Sequence, residues 1–82
     1  MQTADMRLIA DRVEKIRPLL AGLGNLVQGA ILGDLVAMWV AGHGVRGDST
    51  ATTELRNELL AGHLDLVRKL IPENARFLGT DC

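Results

Sequence analysis

Aromatic residues and cysteine are scarce in this 82-residue sequence. It contains one tryptophan, Trp39, one phenylalanine, Phe77, and no tyrosine. The single cysteine, Cys82, excludes an intrachain disulfide and therefore the class of small secreted proteins that disulfides hold together. Residues 1–11 also lack the basic start, the apolar stretch and the cleavage site of a secretory signal peptide. We therefore expect a cytoplasmic location.

An excess of charge of one sign is absent as well. Nine basic and ten acidic side chains give a net charge of -1 at pH 7. This balance provides no long-range attraction to nucleic acid or to an anionic membrane. The longest weakly polar stretch, residues 26–41, contains Gln28 and Asp34 and is shorter than the roughly 20 residues that a membrane-spanning helix needs. These features argue against a nucleic-acid partner and against a membrane protein.

Motifs of catalysis and of cofactor binding are missing too. The sequence has no glycine-rich phosphate loop, no nucleophile elbow, no Cys/His cluster and no pair of carboxylates at a spacing useful for catalysis. His43 and His63 match no metal-ligand spacing, so we expect His43 to be a polar residue at a helix end and His63 to make a local hydrogen bond or to pack at an interface. The sequence predicts no catalytic residue, no metal site, no cofactor and no small-molecule substrate, and hence no enzyme.

Aliphatic residues, in contrast, are abundant. Hydrophobic residues make up 48% of the chain, which is typical of folded rather than disordered proteins. They recur at steps of three and four residues, the spacing of amphipathic helices. We predict a single all-α domain over residues 1–82, folded as a small antiparallel bundle of three main helices. A short fourth element at the C terminus is compatible with the pattern.

The first two helices are delimited by proline, by glycine and by a capping pattern. The first is predicted over residues 4–17, with a kink or break near Pro18, because proline cannot donate a backbone hydrogen bond and disfavours helical geometry in the residue before it. The second is predicted over residues 26–42, since Asn25 followed by Gln28 resembles a capping box.

The third helix follows the longest connection in the chain. Residues 43–52 are rich in glycine, serine and threonine, which predicts an exposed loop. The helix is predicted over residues 53–71, with a start anywhere from Ser49 onwards. Pro72 is expected to end it and to leave residues 72–82 as a tail.

Helix two is apolar nearly all round, which is unusual for a lone bundle of three helices. Each helix of such a bundle keeps one side toward solvent, so an apolar surface on nearly every side implies contact with another chain. Asp34 on this helix either pairs with a cation or marks an exposed strip. We therefore predict a homodimer or a larger protein partner. The predicted interface residues are Val27, Gly29, Ile31, Gly33, Leu35, Ala37, Met38, Trp39 and Ala41.

Two sides of helix two are candidates for the contact with another chain. Small residues at every fourth position form a ridge that allows close approach of another helix backbone. A second side carries larger aliphatic residues, and Trp39 is the expected anchor of the core or the interface. The ridge consists of Gly29, Gly33, Ala37 and Ala41, and the aliphatic side consists of Val27, Ile31, Leu35 and Met38.

Two other classes of function are compatible with the sequence. Three helices and a glycine-containing turn allow a small DNA-binding transcriptional regulator of the helix-turn-helix type. The basic residues of helix one are interleaved with acidic ones, however, which is typical of a solvated face. The favoured function is a non-enzymatic module for protein–protein interaction that self-associates through helix two.

The other class is a carrier protein. Residues 47–55, Gly-Asp-Ser-Thr-Ala-Thr-Thr-Glu-Leu, resemble part of the acyl carrier protein motif, in which an Asp-Ser pair precedes a helix that carries Glu-Leu. The resemblance implies that Ser49 would bear a phosphopantetheine group. The alternative is that Asp48, Ser49 or Thr50 caps a helix.

Overall fold

The computed structural model describes residues 3–80, and this part of the chain contains three α-helices and no β-strand. The helices are α1 (Thr3–Leu20), α2 (Asn25–Ala41) and α3 (Ser49–Leu78). The predicted all-α class and the three main helices are thus confirmed. Cys82 lies outside the described residues.

Helix α1 continues through Pro18 to Leu20, so the interruption predicted near residue 18 is wrong. Proline removes one backbone donor, but Pro18 stands in the last turn of the helix, where that loss affects only the final bonds. The turn is completed beyond it, because the amide of Ala21 donates to the carbonyl oxygen of Arg17 at 3.2 Å. The position of a proline within the helix therefore decides its effect.

Helix α2 begins at Asn25 and ends at Ala41, within one residue of each predicted boundary. Gln28 was predicted to cap the start of α2, but its side chain contacts the end of α1. Its half-buried side chain donates from Nε2 to the carbonyl oxygen of Leu20, at 2.8 Å. The last carbonyls of a helix lack partners within the helix, so Gln28 caps the end of α1.

Helix α3 begins at Ser49, at the early limit of the expected range, and is capped by Asp48. Oδ1 of Asp48 accepts the amide of Ala51 at 2.9 Å, as an N-cap side chain does. The connection after α2 is therefore residues 42–48, shorter than the predicted loop. It is also tied to α3, because Oγ1 of Thr52 accepts the amide of Val45 at 2.9 Å.

Helix α3 also runs past Pro72 to Leu78, so its predicted end at residue 71 is wrong, and no separate fourth element follows among residues 72–80. The helix ends instead at Gly79, whose φ of 75° is left-handed. The amides of Gly79 and Thr80 donate to the carbonyls of Arg76 and Ala75, the arrangement of a Schellman motif. The helix therefore ends at the glycine in the cap position, Gly79, whereas Pro72 lies within the helix with helical turns on both sides.

The described chain divides into two units, and the division falls inside α2. The first unit contains α1 and α2 up to Asp34, and the second contains α2 from Leu35 together with α3. None of the residues from 3 to 80 is buried. The large hydrophobic side chains that are exposed range from Ile31 at 37% to Leu26 at 86%. The single-domain organisation stays a prediction.

Candidate functional site

The predicted interface residues all lie on α2, and every one of them is exposed. Their positions are split between the two units. Residues 27–33 of the set belong to the first unit, and residues 35–41 belong to the second. On α2 the only ionisable side chain is that of Asp34, which is exposed and makes no ion pair with any described residue. The structure thus places Asp34 on an exposed strip.

The two helical glycines of the ridge are not required by packing within the chain. A Cβ atom added at Gly29 or at Gly33 would meet no atom within 4 Å. Gly42, directly after α2, differs, since a Cβ there would lie 3.4 Å from the carbonyl oxygen of Met38. A glycine inside a helix costs roughly 1 kcal/mol relative to alanine. Nothing in the described chain offsets that cost at Gly29 or Gly33.

Trp39 is the centre of an aromatic cluster that includes both histidines. The ring of His43 lies 5.7 Å from the indole, centroid to centroid and edge-on, and the ring of His63 lies at 5.4 Å. Nδ1 of His43 is 2.7 Å from the carbonyl oxygen of Trp39. A carbonyl oxygen only accepts, so this hydrogen bond forms when the proton is on Nδ1. The predictions that the histidines bond locally or pack are consistent with this cluster.

The contact between Trp39 and His63 borders a shallow apolar groove in the second unit. Its volume is about 440 Å³. Aliphatic side chains of α3 supply most of its lining, with one carboxylate among them. The lining residues are Trp39, Leu55, Glu58, Leu59, Gly62, His63 and Leu66. An open groove of this composition suits apolar side chains of another protein better than a catalytic reaction, because its polar groups do not converge on one point.

Arg56 joins α3 to the end of α2, a role that the sequence analysis missed. Its Nη2 donates to the carbonyl oxygen of Ala41, and its Nε donates to that of His43, both at 2.9 Å. These carbonyls are at the negative end of the α2 dipole and lack partners within the helix. A guanidinium with two parallel donors suits this position. From the sequence, Arg56 was placed only among the polar residues of α3, because its partner Ala41 lies fifteen positions away.

The basic side chains of α1 are mostly paired with carboxylates of the same helix. Asp11 contacts Arg12 at 2.6 Å and Lys15 at 3.0 Å, and Glu14 contacts Arg17 at 2.9 Å. All these groups are about half exposed or more. Each pair therefore stabilises the fold by at most about 1 kcal/mol. The charges of α1 form a mixed surface rather than a positive face.

The Asp-Ser pair of the carrier-like motif lies at the start of α3. Asp48 caps α3, and Ser49 is the first helical residue. Among residues 3–80, no three side chains of His, Asp or Glu are grouped so that they could hold a metal ion. No helix in the same range is both long and apolar enough to cross a membrane.

Comparisons of the chain with protein-family models, with curated proteins and with solved structures find no match.

Proposed function

We propose that this protein is a non-enzymatic interaction module that self-associates through α2. The observation that carries the proposal is the absence of any buried residue from 3 to 80, together with apolar side chains exposed on every side of α2. Contiguous exposed apolar surface marks sites of association in proteins. A helix that is apolar all round is normally buried, and another chain can bury α2.

A second copy of the chain is the occupant that the chemistry of α2 favours. The centre of a protein interface is depleted in charge and enriched in aromatic residues and methionine. Helix α2 presents Met38 and Trp39 with one carboxylate, Asp34, over its whole length. Apart from Asp34, this apolar surface is complementary to itself, as a two-fold dimer requires. A larger protein partner is the alternative, and no described contact favours the DNA-binding or the carrier function over either.

The aliphatic side of α2 is the better candidate for the contact. Val27, Ile31, Leu35 and Met38 offer much more apolar area than the glycines and alanines of the ridge, and the gain in free energy grows with the apolar area removed from water. The proposed location is the cytoplasm, because a chain with a single cysteine cannot form the intrachain disulfides that are typical of small secreted proteins.

The solution mass of the reduced protein tests the proposal directly. Sedimentation equilibrium over a series of concentrations is expected to give twice the chain mass of 8.8 kDa, with dissociation toward that mass on dilution. A chain mass of 8.8 kDa that persists at the highest concentrations would rule out self-association. The α2 surface would then belong to the interface with a different protein.

Alanine at Gly33 distinguishes the two sides of α2. We expect Gly33→Ala to leave the dimer dissociation constant unchanged and to stabilise the protein by about 1 kcal/mol, because the new methyl group meets no atom of the chain. Gly62→Ala in α3 is a matched control, since a Cβ there also meets no atom within 4 Å. Sedimentation and urea unfolding measure both quantities. A weaker dimer for Gly33→Ala alone would assign the contact to the small-residue ridge.

A further inference from the structure

The unbroken course of α3 through Pro72 creates a second apolar stripe along one side of that helix. Its positions alternate in steps of four and three residues, which is the repeat of a coiled-coil seam. We call this set the α3 stripe. Its residues are Thr53, Asn57, Leu60, Leu64, Val67, Ile71, Asn74 and Leu78. The stripe differs from the side of α3 that carries Leu55, Leu59 and His63 and borders Trp39.

The apolar members of the α3 stripe are all exposed in the single chain. Their exposed fractions range from 38% for Val67 to 59% for Ile71. Asn57 is exposed as well, and Nδ2 of Asn74 donates to the carbonyl oxygen of Leu70 of its own helix, at 3.1 Å. The stripe is therefore available to a partner helix along its full length.

From Asn57 to Asn74 the stripe has the same order of polar and apolar residues in both directions about the midpoint between residues 65 and 66, whereas at its ends Thr53 mirrors Leu78. Leu64 mirrors Val67, and Leu60 mirrors Ile71. The two polar positions also coincide, because Asn57 mirrors Asn74. Between residues 57 and 74, two copies of α3 packed antiparallel would match apolar residues with apolar residues and each asparagine with an asparagine. A carboxamide both donates and accepts, so such a pair avoids the cost of burying an unpaired polar group.

Charge favours the antiparallel orientation over the parallel one. The first half of α3 is net negative, because Arg56 is its only cation, and the second half is net positive. Antiparallel packing places the net negative half of one α3 beside the net positive half of the other, with opposite helix dipoles side by side, although Glu58 then mirrors Glu73; parallel packing places like halves beside like. The charged residues are Glu54, Arg56 and Glu58 in the first half and Asp65, Arg68, Lys69, Glu73 and Arg76 in the second.

We propose that a second copy of this chain binds along the α3 stripe, with the two α3 helices antiparallel and the two-fold axis near residues 65 and 66. This inference rests on the proposed self-association and adds to it a second helix, an orientation and a register.

Cysteine crosslinking tests the orientation. All variants carry Cys82→Ser, so that the native thiol does not interfere. Asn57 of one copy is expected to face Asn74 of the other, within the short distance between Cα atoms that a disulfide requires. Oxidation of an equimolar mixture of Asn57→Cys and Asn74→Cys is therefore expected to give a covalent dimer on non-reducing gels. Each variant oxidised alone is expected to remain a single chain.

The pair Glu58→Cys and Glu73→Cys is the matched control, because it is mirrored about the same midpoint but lies off the stripe. No crosslink is expected from it. Crosslinking of Asn57→Cys or of Asn74→Cys alone would show a parallel pair and overturn the proposal, as would equal crosslinking of the control pair. A dimeric mass without the mixed crosslink would overturn the α3 contact and retain the self-association, whereas a monomeric mass would overturn both.

Discussion

Leu35→Lys is expected to weaken self-association by at least about 100-fold and to convert the dimer into single chains at micromolar concentrations. The burial of one leucine side chain stabilises a contact by about 1.5–3 kcal/mol, and a two-fold interface contains the residue twice. Lysine removes that gain and places a charged group within the apolar contact. Sedimentation equilibrium and far-ultraviolet circular dichroism at matched concentrations measure the dissociation constant and the helix content.

The single chain itself does not explain such a loss. Leu35 is 51% exposed, so a lysine there can reach water without disturbing the contacts of one chain. Leu19→Lys is the matched control, since Leu19 is 73% exposed near the end of α1 and lies outside the predicted interface. This control is expected to keep the dissociation constant of the unmodified protein. A wild-type mass for Leu35→Lys, or an equal loss for Leu19→Lys, would contradict the role of α2.

Arg56→Ala is expected to lower the free energy of unfolding by about 2 kcal/mol. The variant loses two hydrogen bonds from a charged donor and leaves the carbonyls of Ala41 and His43 without that partner. Urea unfolding followed by circular dichroism at one fixed protein concentration measures the change. Fixed concentration is needed because the stability of a self-associating protein depends on it.

Arg68→Ala provides the comparison for Arg56. Arg68 makes one exposed contact, at 3.5 Å to Asp65, and such pairs contribute about 0–1 kcal/mol. Its replacement is expected to change the free energy of unfolding by less than about 0.5 kcal/mol. Arg56→Lys should recover little of the lost stability, because lysine keeps the charge but not the two parallel donors. Equal effects of Arg56→Ala and Arg68→Ala would show that the bonds to α2 contribute no more than a surface ion pair.

Local signals in the sequence were sufficient to predict the class of fold and the bounds of α2. The apolar period, Asn25 at the start and Gly42 after the end act within one or two helical turns. The prolines were misjudged because their cost depends on the next turns of the helix. Pro18 is close to the end of α1, and Pro72 precedes a turn that Gly79 closes.

The contacts of the candidate site that join distant residues were not predictable in the same way. Arg56 and His63 look like ordinary helix residues in sequence, and only the return of α3 past the end of α2 brings them to Ala41 and Trp39. The interface residues on α2 were chosen for their apolar character and proved to be exposed.

Because no residue between positions 3 and 80 is buried in the single chain, the proposed self-association would make the stability of the protein depend on its own concentration. A polypeptide that removes its aliphatic side chains from water only by pairing gains about 1.4 kcal/mol per dimer for every tenfold rise in concentration. At chain concentrations below the dimer dissociation constant, single chains would be accessible to proteases. Above that concentration, dimer formation would protect them from cleavage. The expression level would then set a threshold below which the protein is cleared and above which it persists.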